Sequence, residues 1–101
     1  MRRKVRISGP AGHDLSGIFA YVSGESPQAA ERLANSLDSA IQDLAEAAEH
    51  FAMVPSRATD EIRRRVVGSY NVFYRLEGNE VMVMRILHGA RNATHLLFPE
   101  T

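Results

Sequence analysis

Two apolar-rich runs, Tyr70 to Leu76 and Val81 to Leu87, flank the short polar stretch Glu77-Gly78-Asn79-Glu80, and this spacing constrains the chain more than any other feature. Runs of seven residues rich in valine, tyrosine, phenylalanine, methionine and leucine, joined across a Gly-Asn centre, predict a β-hairpin. The second run carries Val81-Met82-Val83-Met84, apolar at successive positions, as a strand covered on both faces requires. It ends in a small polar cluster, His88-Gly89-Ala90-Arg91, which makes the exit of the hairpin a candidate site.

The segments before the hairpin supply its cover. Val5 and Ile7 alternate with Lys4, Arg6 and Ser8, predicting a short strand over residues 3–8 that Gly9 and Pro10 end. Leu15, Ile18, Phe19 and Val22 recur at helical spacing, predicting a helix over 11–23 that Gly24 closes. Ser26-Pro27 then opens a second helix, with serine as cap and proline at the first helical position. Ala30, Leu33, Leu37, Ile41 and Leu44 hold its apolar stripe over 27–50. Residues 50–61, with Pro55 and Ser56, read as a loop, Ile62 to Val67 as a strand, and 93–98 as a last short strand or helical turn. The order β-α-α-β-β-β predicts a single α+β domain over residues 1–101, with a helical hairpin packed on a small, mainly antiparallel sheet. The expected core holds Leu15, Ile18, Phe19, Leu33, Leu37, Ile41, Leu44, Val72, Val83 and Leu87.

Composition narrows the function classes. At 101 residues the chain buries only about two-thirds of its unfolded surface, so a bound partner can matter to its stability. It has no cysteine, which excludes disulfides and thiolate metal sites and suits the cytoplasm, the expected location. The sequence contains neither a signal-like apolar stretch nor one of the ~20 residues needed to span a membrane. The balanced net charge hides a segregation, with Arg2, Arg3, Lys4 and Arg6 at one end, eight carboxylates between Glu25 and Glu61, and six arginines after Ile62. Basic ends joined in one sheet favour an acidic partner.

The chemistry-bearing residues are few. His13, His50, His88 and His95 lack the spacing of a helical zinc pair, and the chain has no phosphate loop, no nucleophile elbow and no Cys-His pair. Neither a metal nor a cofactor is expected. Arg75, Arg85, His88 and Arg91 form the remaining constellation. Strand alternation puts Arg85 with Val81, Val83 and Leu87, and His88 with Met82, Met84 and Ile86, so the two leave opposite faces unless a bulge re-aims one. An arginine in an apolar strand needs an acidic partner or the sheet's open edge, and Asp14 is a candidate mate for one of these arginines.

These residues resemble the ParE branch of the ParE/RelE toxin superfamily. The motif Gly68-x-Tyr70-x-Val72-Phe73-Tyr74-Arg75 precedes a strand ending in Arg85-x-x-His88-Gly89-x-Arg91. Asp14-Leu15, Ile18, Tyr21-Val22, Pro27, Ala29-Ala30 and Leu44 extend the resemblance over the helices. It implies the toxin of a type II toxin–antitoxin pair that arrests growth by binding DNA gyrase rather than by catalysis, and a ParD-like antitoxin that neutralises it. Arg75, Arg85, His88 and Arg91 are then candidate target contacts, and Arg63, Arg64 and Arg65 candidate antitoxin contacts. The alternative is a RelE-like, ribosome-dependent endoribonuclease. That branch uses an arginine after the glycine-tyrosine and a tyrosine near the C-terminus, positions held here by Asn71 and Leu97. A toxin-derived binding module without activity is the third reading.

Overall fold

The computed structural model describes residues 2–54, 61–89 and Leu97. Its elements are β1 (Lys4–Ile7), α1 (Gly9–Glu25), α2 (Pro27–Ala47) with a 3-10 turn at Ala48–His50, then β2 (Ile62–Val67), β3 (Tyr70–Glu77) and β4 (Glu80–His88). The order is the expected one, and the sheet runs β1-β4-β3-β2. β1 lies parallel to β4, while β2–β3 and β3–β4 are antiparallel.

Local chemistry fixes these boundaries. Ser8 caps α1, its Oγ accepting from the Ala11 amide at 3.1 Å, and Pro10 sits in the first turn where no amide partner is needed. The helix runs on to Glu25 rather than stopping before Gly24. Ser26 explains the extension: its amide bonds the Val22 carbonyl at 2.8 Å while its Oγ accepts from the Ala29 amide at 3.2 Å. One extended residue thus ends α1 and starts α2. Both two-residue hairpin loops begin with a glycine at positive φ, Gly68 at 59° and Gly78 at 58°, the arrangement of a type II′ turn.

The sheet separates two apolar clusters. Toward the helices, Leu37, Ile41, Leu44 and Ala11 meet Val72, Tyr74, Val81, Val83 and Ile86, all buried. Leu15, Ile18, Phe19 and Leu33 pack against this cluster but are only half-buried. On the opposite face Ile62, Phe73, Leu87 and Leu97 form a second cluster, with Val54 and Met84 beside it. Leu87 therefore belongs to the core, but on the other side of the sheet from Val83. The two-sided burial accounts for the unbroken apolar run in β4.

The region expected to be a loop is partly a ladder. Met53 bridges Arg63, the Val54 amide donates to the Ile62 carbonyl at 2.7 Å, and the Arg64 amide to the Ala52 carbonyl at 3.1 Å. Part of the edge of β2 is covered in this way. Of the last expected element, residues 93–98, only Leu97 lies within the described residues.

Candidate functional site

A bulge in β4 decides where the candidate residues point. Phe73 pairs with Arg85 but Tyr74 pairs with Val83, so Met84 is an extra residue and side-chain alternation slips by one. Before the slip Val81 and Val83 face the helices; after it Ile86 does, while Leu87 turns away. His88 consequently shares the helix side with Ile86, and not with Met82 and Met84. Arg85, opposite Phe73, leaves the face used by Val81 and Val83. Simple alternation misplaced both, because no residue type marks the bulge.

Of the candidate arginines, Arg85 is the one paired with Asp14. Its Nε and Nη2 donate to the two Asp14 oxygens at 2.8 and 2.9 Å, a bidentate pair between β4 and α1. Asp14 also accepts from the Ile86 amide at 2.9 Å. It serves a strand edge that β1, ending at Ile7, no longer reaches. The bond to Asp14 holds the Arg85 guanidinium above its ordinary pKa, against the opposing effect of burial. Next to this pair lies a groove of about 450 Å³ between α1 and the end of the hairpin, lined by His13, Ile18, Tyr21, Tyr70, Ile86 and His88 among others. His88 stands edge-on to Tyr70, with ring centroids 5.5 Å apart. Tyr21 is 69% exposed at this groove.

The other arginines divide by face. Arg75 lies opposite Met82 and pairs with Glu77. Arg63 donates to the Glu49 and Phe51 carbonyls at 3.2 and 2.7 Å, on the helix side of β2. Arg65 donates to the Ala40 carbonyl and to Asp43, both at 2.9 Å, and lies 4.7 Å above the centre of the Phe51 ring. Arg65 thus ties the edge strand to the body of α2, and Arg63 ties it to the turn that follows α2. Arg64 points the other way and is exposed. Arg91 lies outside the described residues. The structure therefore brings Arg85 to Asp14 and His88 to Tyr70, and does not bring Arg75, Arg85 and His88 into one cluster.

The segregated charge is largely satisfied inside the molecule. Arg2 pairs with Glu46 at 3.0 Å, Arg3 with Glu49 at 2.5 Å and Arg65 with Asp43 at 2.9 Å, joining the residues before β1 and the strand β2 to α2 and the turn after it. Arg3 draws the Glu49 carboxyl below its usual range. Among the described residues no group of three or more potential ligands is placed to hold a metal ion, and no helix is long and apolar enough to cross a membrane.

A helical hairpin on one face of a four-stranded mixed sheet is the scaffold on which this site is built. The family model for the ParE toxin of the type II toxin–antitoxin system parDE matches residues 5–93, and the chain belongs to that family. A solved structure of the chromosomal ParDE system from P. aeruginosa is similar at a TM-score of 0.71 and 21% identity, covering 86% of this chain and 96% of that one. The RelBE2 toxin–antitoxin complex from Mycobacterium tuberculosis is similar at 0.60 and 22%, covering 87% and 99%. At such identities these likenesses concern the fold. Comparison with curated proteins finds no match.

Proposed function

We propose that this ParE-type toxin arrests growth by binding DNA gyrase, without catalysis of its own, and that a ParD-like antitoxin in the same cytoplasm neutralises it. The observation that carries the non-catalytic reading is the occupation of the basic residues. Arg85 is held by Asp14, Arg65 by Asp43, and Arg75 pairs with Glu77. Cleavage of RNA by its own 2′-hydroxyl needs a proton acceptor and cations gathered around one phosphate. Asn71 and the buried Leu97 stand where the nucleolytic branch carries an arginine and a tyrosine. The antitoxin reading is supported by family membership and by the structural relatives, which are toxin–antitoxin assemblies.

Arg91, Arg75 and His88 are the proposed target contacts, with Arg85 as their structural support. Arg91 follows the last strand, where a long cation can make paired hydrogen bonds to a carboxylate or phosphate. The test is induced expression without antitoxin, with gyrase supercoiling and DNA cleavage assayed beside ribosome-dependent mRNA cutting. Wild-type protein should stop growth and trap cleaved DNA, and Arg91→Ala should relieve arrest with an unchanged thermal transition. Cut mRNA with intact gyrase activity would reject this reading and favour the RelE-like one.

A further inference from the structure

The two edges of the sheet differ. On β2 the segment before it covers part of the outer side, through the Val54 amide on the Ile62 carbonyl and the Arg64 amide on the Ala52 carbonyl. On the outer side of β1 no strand pairs among the described residues. The Lys4 and Ser8 amides donate to the Asn79 and Val83 carbonyls, on the β4 side, at 3.2 and 3.0 Å. Backbone groups alternate in direction along a strand, so Lys4, Arg6 and Ser8 face β4 while Val5 and Ile7 each turn an N–H and a C=O outward. The outward group before them, the Arg3 amide, is taken by the Ala45 carbonyl of α2 at 2.7 Å, and after them α1 begins at Gly9. The edge is therefore open over the four residues of β1, about 13 Å, and bounded at both ends by helix.

The side chains of this edge alternate in character. Val5 packs toward the helices, and Ile7, on the same side, is left 43% exposed. Lys4 and Arg6 project from the other face, and both are exposed. Lys4 takes part in no ion pair among the described residues, while Arg6 reaches Glu80 only at 3.5 Å and keeps more than half of its side chain in solvent. Register sets one carboxylate, Glu80, beside these two cations, which leaves the edge positive. Glu46 and Glu49 do not offset it, since Arg2 and Arg3 hold them.

Such an edge selects its partner. A second copy paired antiparallel on β1, in the register that joins Val5 to Ile7, would set Arg6 directly against its own copy, like charge on like charge. A nucleic acid backbone satisfies the cations but supplies no N–H for the Val5 and Ile7 carbonyls. A peptide strand meets all three demands at once: carboxylates on one of its faces, apolar side chains on the other, and backbone groups between them that complete the ladder. We propose that the outer edge of β1 accepts an added strand of alternating acidic and apolar residues, its carboxylates on Lys4 and Arg6 and its apolar side chains beside Val5 and Ile7. The strand belongs to the antitoxin, so the inference rests on the reading given above.

The experiment uses the full chain and, as probe, the purified protein encoded by the reading frame adjoining its gene. Amide exchange followed residue by residue should find the Val5 and Ile7 amides fast in the chain alone and slowed about tenfold or more in the complex. Ile7→Pro removes an outward donor without touching the bonds to β4, and should raise Kd about tenfold. The double variant Lys4→Gln, Arg6→Gln should slow association about tenfold at low salt and less at high salt, while Arg32→Gln on the solvent side of α2 stays within about twofold. Thermal transitions should match wild type; should Ile7→Pro fold poorly, the exchange measurement and the glutamine variant decide. A complex in which the Val5 and Ile7 amides exchange as in the chain alone would overturn the added strand while the antitoxin reading stands. No binding by the wild-type chain would overturn both. Protection of the same two amides in the chain alone, rising with its concentration, would overturn the acidic partner and assign the edge to a second copy.

Discussion

Replacing Asp14 with alanine should destabilise the fold far more than an ordinary ion-pair deletion. The Asp14 side chain is 8% exposed and that of Arg85 22%, so the aspartate is nearly buried and the guanidinium keeps some water. Asp14→Ala removes both bonds to Arg85 and leaves the Ile86 amide at a strand edge without its acceptor. An orphaned buried amide alone costs about 1–3 kcal/mol. Stranding a fully buried charge costs about 3–5 kcal/mol, and the partial exposure of Arg85 reduces that figure. Together these give about 2–4 kcal/mol, and at about 4–8 °C per kcal/mol the midpoint should fall by roughly 10–25 °C. Urea unfolding of Asp14→Ala, Arg85→Met and the double variant isolates the pair, with an expected coupling of about 2 kcal/mol. A coupling below about 0.5 kcal/mol, as exposed pairs give, would refute the assignment of Asp14 as the link between α1 and β4.

Leu37, 1% exposed in the main cluster, should cost about 2–5 kcal/mol when changed to alanine, measured by urea denaturation. Tyr74 is fully buried, donates to the Ala48 carbonyl at 2.6 Å, and has its pKa pushed up to about 12, chiefly by burial. Because the folded chain keeps this proton longer than the unfolded one, its contribution is intact below about pH 10 and lost as pH rises toward 12, amounting to about 3 kcal/mol. Tyr74→Phe should flatten that alkaline loss in a stability–pH profile. Gly17 lies inside α1 with open space where a Cβ would be, so Gly17→Ala should raise stability by about 0.5–1 kcal/mol in the same denaturation assay.

The hairpin, both helices and the need of a strand arginine for a partner such as Asp14 can be read from residue types, because period, glycine position and the cost of an unpaired arginine are local constraints; which arginine takes Asp14 is not. What escaped was set by register. One extra residue at Met84 moves Arg85, Ile86, Leu87 and His88 to the opposite faces from those that alternation assigns, and any residue fits such a position. The adjacent arginines of β2 carried the same ambiguity, since only the face of β2 that meets α2 and the turn after it separates Arg63 and Arg65, which bond them, from Arg64, which points the other way. The end of α1 was missed by two residues, because Gly24 looks like a helix terminator while the serine amide and hydroxyl at Ser26 serve both helices at once.

The hydroxyl of Ser8 has a mechanical consequence. It accepts from the first turn of α1 and donates to the Met84 carbonyl at 2.9 Å, at the bulge itself, and six residues later Asp14 grips the Ile86 amide. The base of the helix is riveted to β4 at two points on either side of the place where that strand changes step. A partner pushing on the far end of the hairpin therefore acts on a beam clamped at its root: the tip near Ser26 can bend, but the root cannot swing without shearing the strand that delivers His88 and the segment beyond it.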